Sequence, residues 1–110
     1  MGALKPVAGF AAYDASKIGV LGLTKAAALE CAASGIRINI VCPGPTDGTR
    51  LTENITRRHP EERAHFNSTI PMQRLGQPEE MARAVVWLCS DAASYVTGAT
   101  LTVDGGLGAT

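Results

Sequence analysis

Between Phe10 and Ser34 the apolar positions Ile18, Leu21 and Leu29, with several alanines, recur at three- and four-residue intervals, and that period predicts a helix. Gly35 follows the last turn, where a C-cap glycine belongs. Gly19 and Gly22 lie inside the helix at about 1 kcal/mol each relative to Ala, which points to close approach of another helix or chain. The pattern then becomes a β-branched run, IRINIVC over 36–42, bounded by Gly35 and Pro43; it reads as a buried strand. PGPTDGT (43–49) is a Pro/Gly loop. Residues 50–70 are polar, with Arg50, Arg57, Arg58, Glu61, Glu62 and Arg63. They read as a solvated helix or as a mobile lid over a site at the strand's carboxyl end.

QPEEMARAVVWLCSD (77–91) predicts a second helix. Pro78 suits its first position, Glu79 and Glu80 favour the positive end of its dipole, and Ala82, Val85, Val86 and Cys89 form its apolar stripe. ATLTV (99–103), followed by Asp-Gly-Gly, predicts a second strand, and GALKPVAG (2–9) reads as a loop. The order is helix, strand, loop, polar segment, helix, strand. A strand, a helix and a further strand in succession imply a parallel crossover unit of an α/β sheet.

Composition narrows the function classes. The 110 residues suit one small domain or part of a larger one, and 45% hydrophobic against 18% charged residues excludes a disordered chain. Ten basic residues balance ten acidic ones, so no net field exists to hold nucleic acid or an anionic membrane. Arg57, Arg58 and His59 are followed at once by Glu61 and Glu62, which weakens a local basic patch. Cys31, Cys42 and Cys89 lack C-x-x-C spacing and the chain has two histidines, which argues against a zinc site. Isolated cysteines fit a reducing cytoplasm. No apolar run approaches a membrane span, and no signal peptide pattern is visible.

Tyr13 and Lys17 carry the candidate chemistry. Residues four apart on a helix share a face, so a phenol and an ammonium can meet at one point. A free phenol titrates near about pH 10, and a neighbouring cation favours its phenolate. Such a tyrosine can give a proton to a carbonyl oxygen as hydride reaches the carbon, or take one from an alcohol as hydride leaves; the hydride itself needs a nicotinamide or similar cofactor. Tyr-x-x-x-Lys also arises by chance on solvated helices. The context adds weight, because ligands of open α/β sheets bind beyond the carboxyl ends of the strands, where PGPTDGT lies. As a plain turn, that loop needs no ligand.

These segments together resemble the short-chain dehydrogenase/reductase family. YDASK resembles its catalytic Tyr-x-x-x-Lys segment, IRINIVCPGPTDGT the strand and Pro-Gly loop that follow, and PMQRLGQPEEMARAVVWLCSDAASYVTGATLTVDGG its C-terminal part. The resemblance implies an α/β fold, with residues 1–110 as a single partial domain. That domain is the C-terminal part of a doubly wound, Rossmann-like parallel sheet. The implied activity is hydride transfer between NAD or NADP and an alcohol or ketone. Tyr13 is the implied general acid/base. Lys17 favours its phenolate and hydrogen-bonds the nicotinamide ribose. Pro43, Gly44 and the backbone near Thr46 meet the nicotinamide end, and residues 47–70 form the substrate lid. The helix over Phe10–Ser34 packs in a helix bundle of a homo-oligomer, a dimer or tetramer, which accounts for Gly19 and Gly22.

The family often carries Thr two places after Thr46, against the cofactor phosphates; Gly48 stands there, and Thr49 next to it is the candidate replacement. The family's glycine-rich turn and catalytic Asn find no match in this sequence, and its catalytic Ser is expected immediately before Met1. The residue that selects NAD or NADP falls in the same unmatched half. On its own the chain is therefore expected to bind cofactor weakly or not at all, without turnover. The alternative is a non-catalytic interaction module that pairs with a full-length relative through the Phe10–Ser34 helix.

Overall fold

The computed structural model describes residue 6 and residues 8–109, with the side chain of residue 51 set aside. Most of the loop expected at 2–9 therefore lies outside the described residues. Helix α1 runs Ala11–Cys31 and ends in a 3-10 turn, Ala32–Ser34. Gly35 closes it at φ 73°, donating its N–H to the Ala32 carbonyl; only a residue without a Cβ takes that left-handed conformation freely.

Strand β1 is Ile40–Pro43, later in starting than the run 36–42 suggests. The reason lies in its partners. Ile38 N–H donates to the Thr97 hydroxyl, Asn39 bridges the Val96 carbonyl and the Ala99 N–H, and Gly98 N–H donates to the Ile38 carbonyl. Backbone and side-chain groups of the 96–99 connection, rather than a facing strand, meet this stretch.

The polar segment is not one helix but two, α2 (Arg50–Arg58) and α3 (Glu61–Thr69). Pro60 disfavours helical backbone in the residue before it, and His59 accordingly sits at φ −137°, ψ 80°. Helix α4 is Pro78–Cys89, two residues short of the expected end at Asp91, where a 3-10 turn, Asp91–Ala93, begins. Strand β2 is Thr100–Val103 and pairs in parallel with β1, Ile40 facing Thr100 through to Pro43 facing Val103.

The core sits between the sheet, α4 and the 70–75 turn, around Cys42, Ile70, Leu75, Leu88 and Ala93. On α4 the inward set is Met81, Ala84 and Leu88. The expected stripe of Ala82, Val85, Val86 and Cys89 is exposed. The helix carries two apolar faces, and the sheet takes the one that ends in Leu88. Gly19 and Gly22 have no described neighbour within 4 Å of a built Cβ, so no close approach to either comes from these residues. Ala28 is the buried foot of α1, 3.6 Å from a Cβ position at Gly98.

Arg37 shows why a charge belongs in an apolar run. Its guanidinium donates to the carbonyls of Leu88 (2.7 Å), Ser90 (3.2 Å) and Val96 (3.3 Å), among them carbonyls that the end of α4 leaves without helical partners. Arg37→Met is expected to lower unfolding stability by about 2 kcal/mol, read from urea denaturation.

Arg74 and Glu80 clamp the start of α4. The guanidinium meets both carboxylate oxygens at 2.8 and 2.7 Å, and Glu80 also accepts the Gln77 N–H at 2.8 Å. The Arg74 hydrogen bond, then that backbone N–H, hold the Glu80 carboxyl down to about 2 from 4.5. A depressed carboxyl stabilises the fold above its unfolded value and loses that contribution as pH falls through the folded one. The stability advantage over Glu80→Gln is therefore expected to be full above pH 4.5 and gone near pH 2, as checked by thermal unfolding across that window.

Candidate active site

Helix α1 presents the pair. Lys17 Nζ stands 5.3 Å from the centroid of the Tyr13 ring, and Phe10 meets the same ring edge-on at 6.5 Å. Tyr13 is half-exposed. Its carbonyl accepts the Ser16 hydroxyl at 2.6 Å, so Ser16 spends its side chain on the helix backbone. Among the described residues neither the Tyr13 hydroxyl nor the Lys17 ammonium takes a hydrogen bond or an ion pair.

The Pro-Gly loop leaves the carboxyl end of β1. Pro43 is the last strand residue and is exposed. Gly44 N–H donates to the Val103 carbonyl at 3.0 Å. A Cβ on Gly44 would stand 2.7 Å from Asp104 Cα, so glycine is needed here for the approach of Asp104. Thr46 is buried and turned inward, donating its hydroxyl to the Gly44 carbonyl at 3.0 Å. A second segment braces the loop: Gly76 N–H donates to Pro45 and Asp47 N–H donates to Gly76.

Thr49 is the N-cap of α2. Its side chain accepts the Thr52 N–H at 3.3 Å, and its hydroxyl donates to the Thr46 carbonyl at 3.1 Å. Thr52 is buried beneath it and donates to the same carbonyl at 2.7 Å. The structure thus brings Gly44, Thr46 and Thr49 into one hydrogen-bonded loop, and Tyr13 and Lys17 onto one helix face. Among the described residues no hydrogen bond or ion pair joins the pair to Gly44, Thr46 or Thr49.

Sequence reasoning passed over two residues that shape this loop. Asp104 accepts the N–H groups of Gly106 and Gly108 at 3.0 and 2.8 Å; an Asp ahead of glycines is the available signal. Asp47 pairs with Arg63 sixteen residues on, a contact that no spacing rule reveals.

A parallel β1–β2 pair joined through α4, with a phenol and an ammonium one helical turn apart, defines an α/β protein of the Rossmann-like kind. Comparison with known proteins narrows this. The family model described as "Enoyl-(Acyl carrier protein) reductase" matches residues 1–108. A 3β-hydroxysteroid dehydrogenase of Eggerthella lenta is 51% identical over 89% of this chain and 37% of its own length. An acetoacetyl-CoA reductase of Rhizobium meliloti is 48% identical over 86% of this chain and 38% of its own. A variant of actinorhodin polyketide ketoreductase, solved with NADPH, is 36% identical with a TM-score of 0.91, covering 99% of this chain and 44% of that one.

The chain belongs to the short-chain dehydrogenase/reductase family. It spans under two fifths of the length of the two curated relatives named here. No described helix is long and apolar enough to cross a membrane.

Proposed function

We propose that residues 1–110 form the C-terminal half of an NAD- or NADP-dependent oxidoreductase acting on an alcohol or ketone, with residues 47–70 as its substrate lid. The observation that carries this reading is the Tyr13–Lys17 pair, half-exposed, with neither polar end hydrogen-bonded among the described residues. Ammonium donors fit the hydroxyls of a nicotinamide ribose, and a phenol fits a substrate oxygen. The cofactor, when bound, supplies or accepts the hydride.

In reduction, Tyr13 gives its proton to the carbonyl oxygen, and Lys17 stabilises the phenolate that remains. In oxidation the same phenolate takes the alcohol proton. Pro43 and Gly44 offer backbone to the nicotinamide end. Thr46 and Thr49 hold the loop in shape through hydroxyls turned inward, so their part in cofactor binding is played by the backbone. NADPH in the related ketoreductase makes NADP the first cofactor to try. The test is oxidation of reduced cofactor by the complete enzyme against a panel of ketones, and a flat trace with both cofactors would count against the reading. We place the enzyme in the cytoplasm as a homo-oligomer.

A second reading rests on the bare surface of α1, where Leu23 is 70% and Leu29 83% exposed. There the chain is a non-catalytic module that docks on a full-length relative. Co-purification with such a relative, without cofactor-dependent turnover of its own, would favour it.

A further inference from the structure

The α2–α3 hairpin is tied to the Pro-Gly loop at two polar points. From α2, buried Thr52 donates its hydroxyl to the Thr46 carbonyl at 2.7 Å. From α3, Arg63 forks onto Asp47, with its two terminal nitrogens 2.8 and 3.3 Å from the two carboxylate oxygens. Asp47 is itself fixed: its N–H donates to the Gly76 carbonyl at 2.9 Å, and Oδ1 accepts the Gly48 N–H at 3.2 Å. No residue of α3 itself is fully buried; its apolar anchor is the buried C-cap Ile70, and Arg63 supplies its polar tie to the loop. The two partners keep 55% and 33% of their side-chain surface in solvent, which leaves the pair open to screening by salt. The fork gives the contact direction, and its exposure to solvent keeps it weak enough to break and re-form.

We propose that the Asp47–Arg63 pair is a latch that holds the α2–α3 hairpin down on the loop, so that its release sets access of substrate to the site. The access step rests on the reading of residues 47–70 as a lid; the latch itself does not. Arg63 is then a positioning residue, acting through Asp47 on the loop that also carries Thr46 and Thr49.

Hydrogen exchange at the amides of α3 tests this without turnover. Asp47→Asn keeps the oxygen that meets Gly48 and removes the charge; Arg63→Gln removes the fork from the other side. Each is expected to speed exchange over 61–69 by about two- to fivefold, leaving α1 and α4 unchanged. The double variant is expected to exchange no faster than either single, and added salt to bring the unaltered protein toward them. Arg63→Lys, with charge but no fork, is expected to fall between. Unchanged exchange, or singles that add fully in the double, would overturn the latch. In the complete enzyme the same variants are expected to move KM for the ketone more than kcat. If exchange rises and KM stays put, control of access is overturned. An enzyme without turnover sinks the oxidoreductase reading instead, and exchange alone then decides the latch.

Discussion

Tyr13→Phe in the complete enzyme is expected to cut cofactor-dependent turnover by about 100- to 10,000-fold while cofactor affinity stays close to its original value. The substitution removes one oxygen and keeps the ring, so the edge contact with Phe10 and the seat of Lys17 over the ring survive. What disappears is the proton that the proposed reduction delivers to the carbonyl oxygen. A general acid/base that acts in the chemical step shows its loss in kcat, whereas a group that merely binds shows it in KM. Steady-state rates and cofactor titration by fluorescence separate the two. Turnover within a few-fold of the original would mean that another group moves the proton, and the pair would revert to an ordinary helical neighbourhood.

Gly44→Ala is expected to cost about 3 kcal/mol of stability. Its new Cβ would meet Asp104 Cα at 2.7 Å and Asp104 Cβ at 2.8 Å, and backbone cannot swing aside as a flexible side chain does. Relief requires the last β1–β2 rung, the Gly44 N–H to Val103 bond, to open, and the loop to Thr49 would move with it. Gly19→Ala is the control. No described neighbour lies within 4 Å of a Cβ built there, so in the 110-residue chain the helix is expected to gain up to about 1 kcal/mol. Urea unfolding of both variants reads the contrast; similar stabilities would mean that the Asp104 approach is not what requires glycine at 44.

The legible parts of this fold are those written in local pattern. The period of α1, its glycine stop at Gly35, Pro78 at the head of α4 and the order that makes the sheet parallel all follow from neighbours in sequence. The pair itself was legible for the same reason, since four residues of helix fix its geometry. What escaped depends on distant partners. The start of β1 is set by Thr97 and Asn39 meeting the 96–99 connection. The face that α4 turns inward is chosen by the sheet, which takes Leu88 and leaves Val85 and Val86 bare. Pro60 is a readable break that the dense charges around it conceal. The inward turn of Thr46 and the capping by Thr49 are loop details that composition does not carry.

The placement of Tyr13 and Lys17 on a single helix also orders events in time. Their contact spans four residues, whereas the anchors of the sheet join Arg37 to Leu88, Ser90 and Val96 across 51 to 59 positions. A helical turn closes in well under a microsecond, while pairings between distant segments are slower by orders of magnitude. The Tyr13–Lys17 contact is thus expected to form and dissolve many times before the strands find each other. Renaturation of the β1–β2 pair is therefore expected to be limited by the meeting of distant chain segments, with the contact on α1 already in rapid exchange.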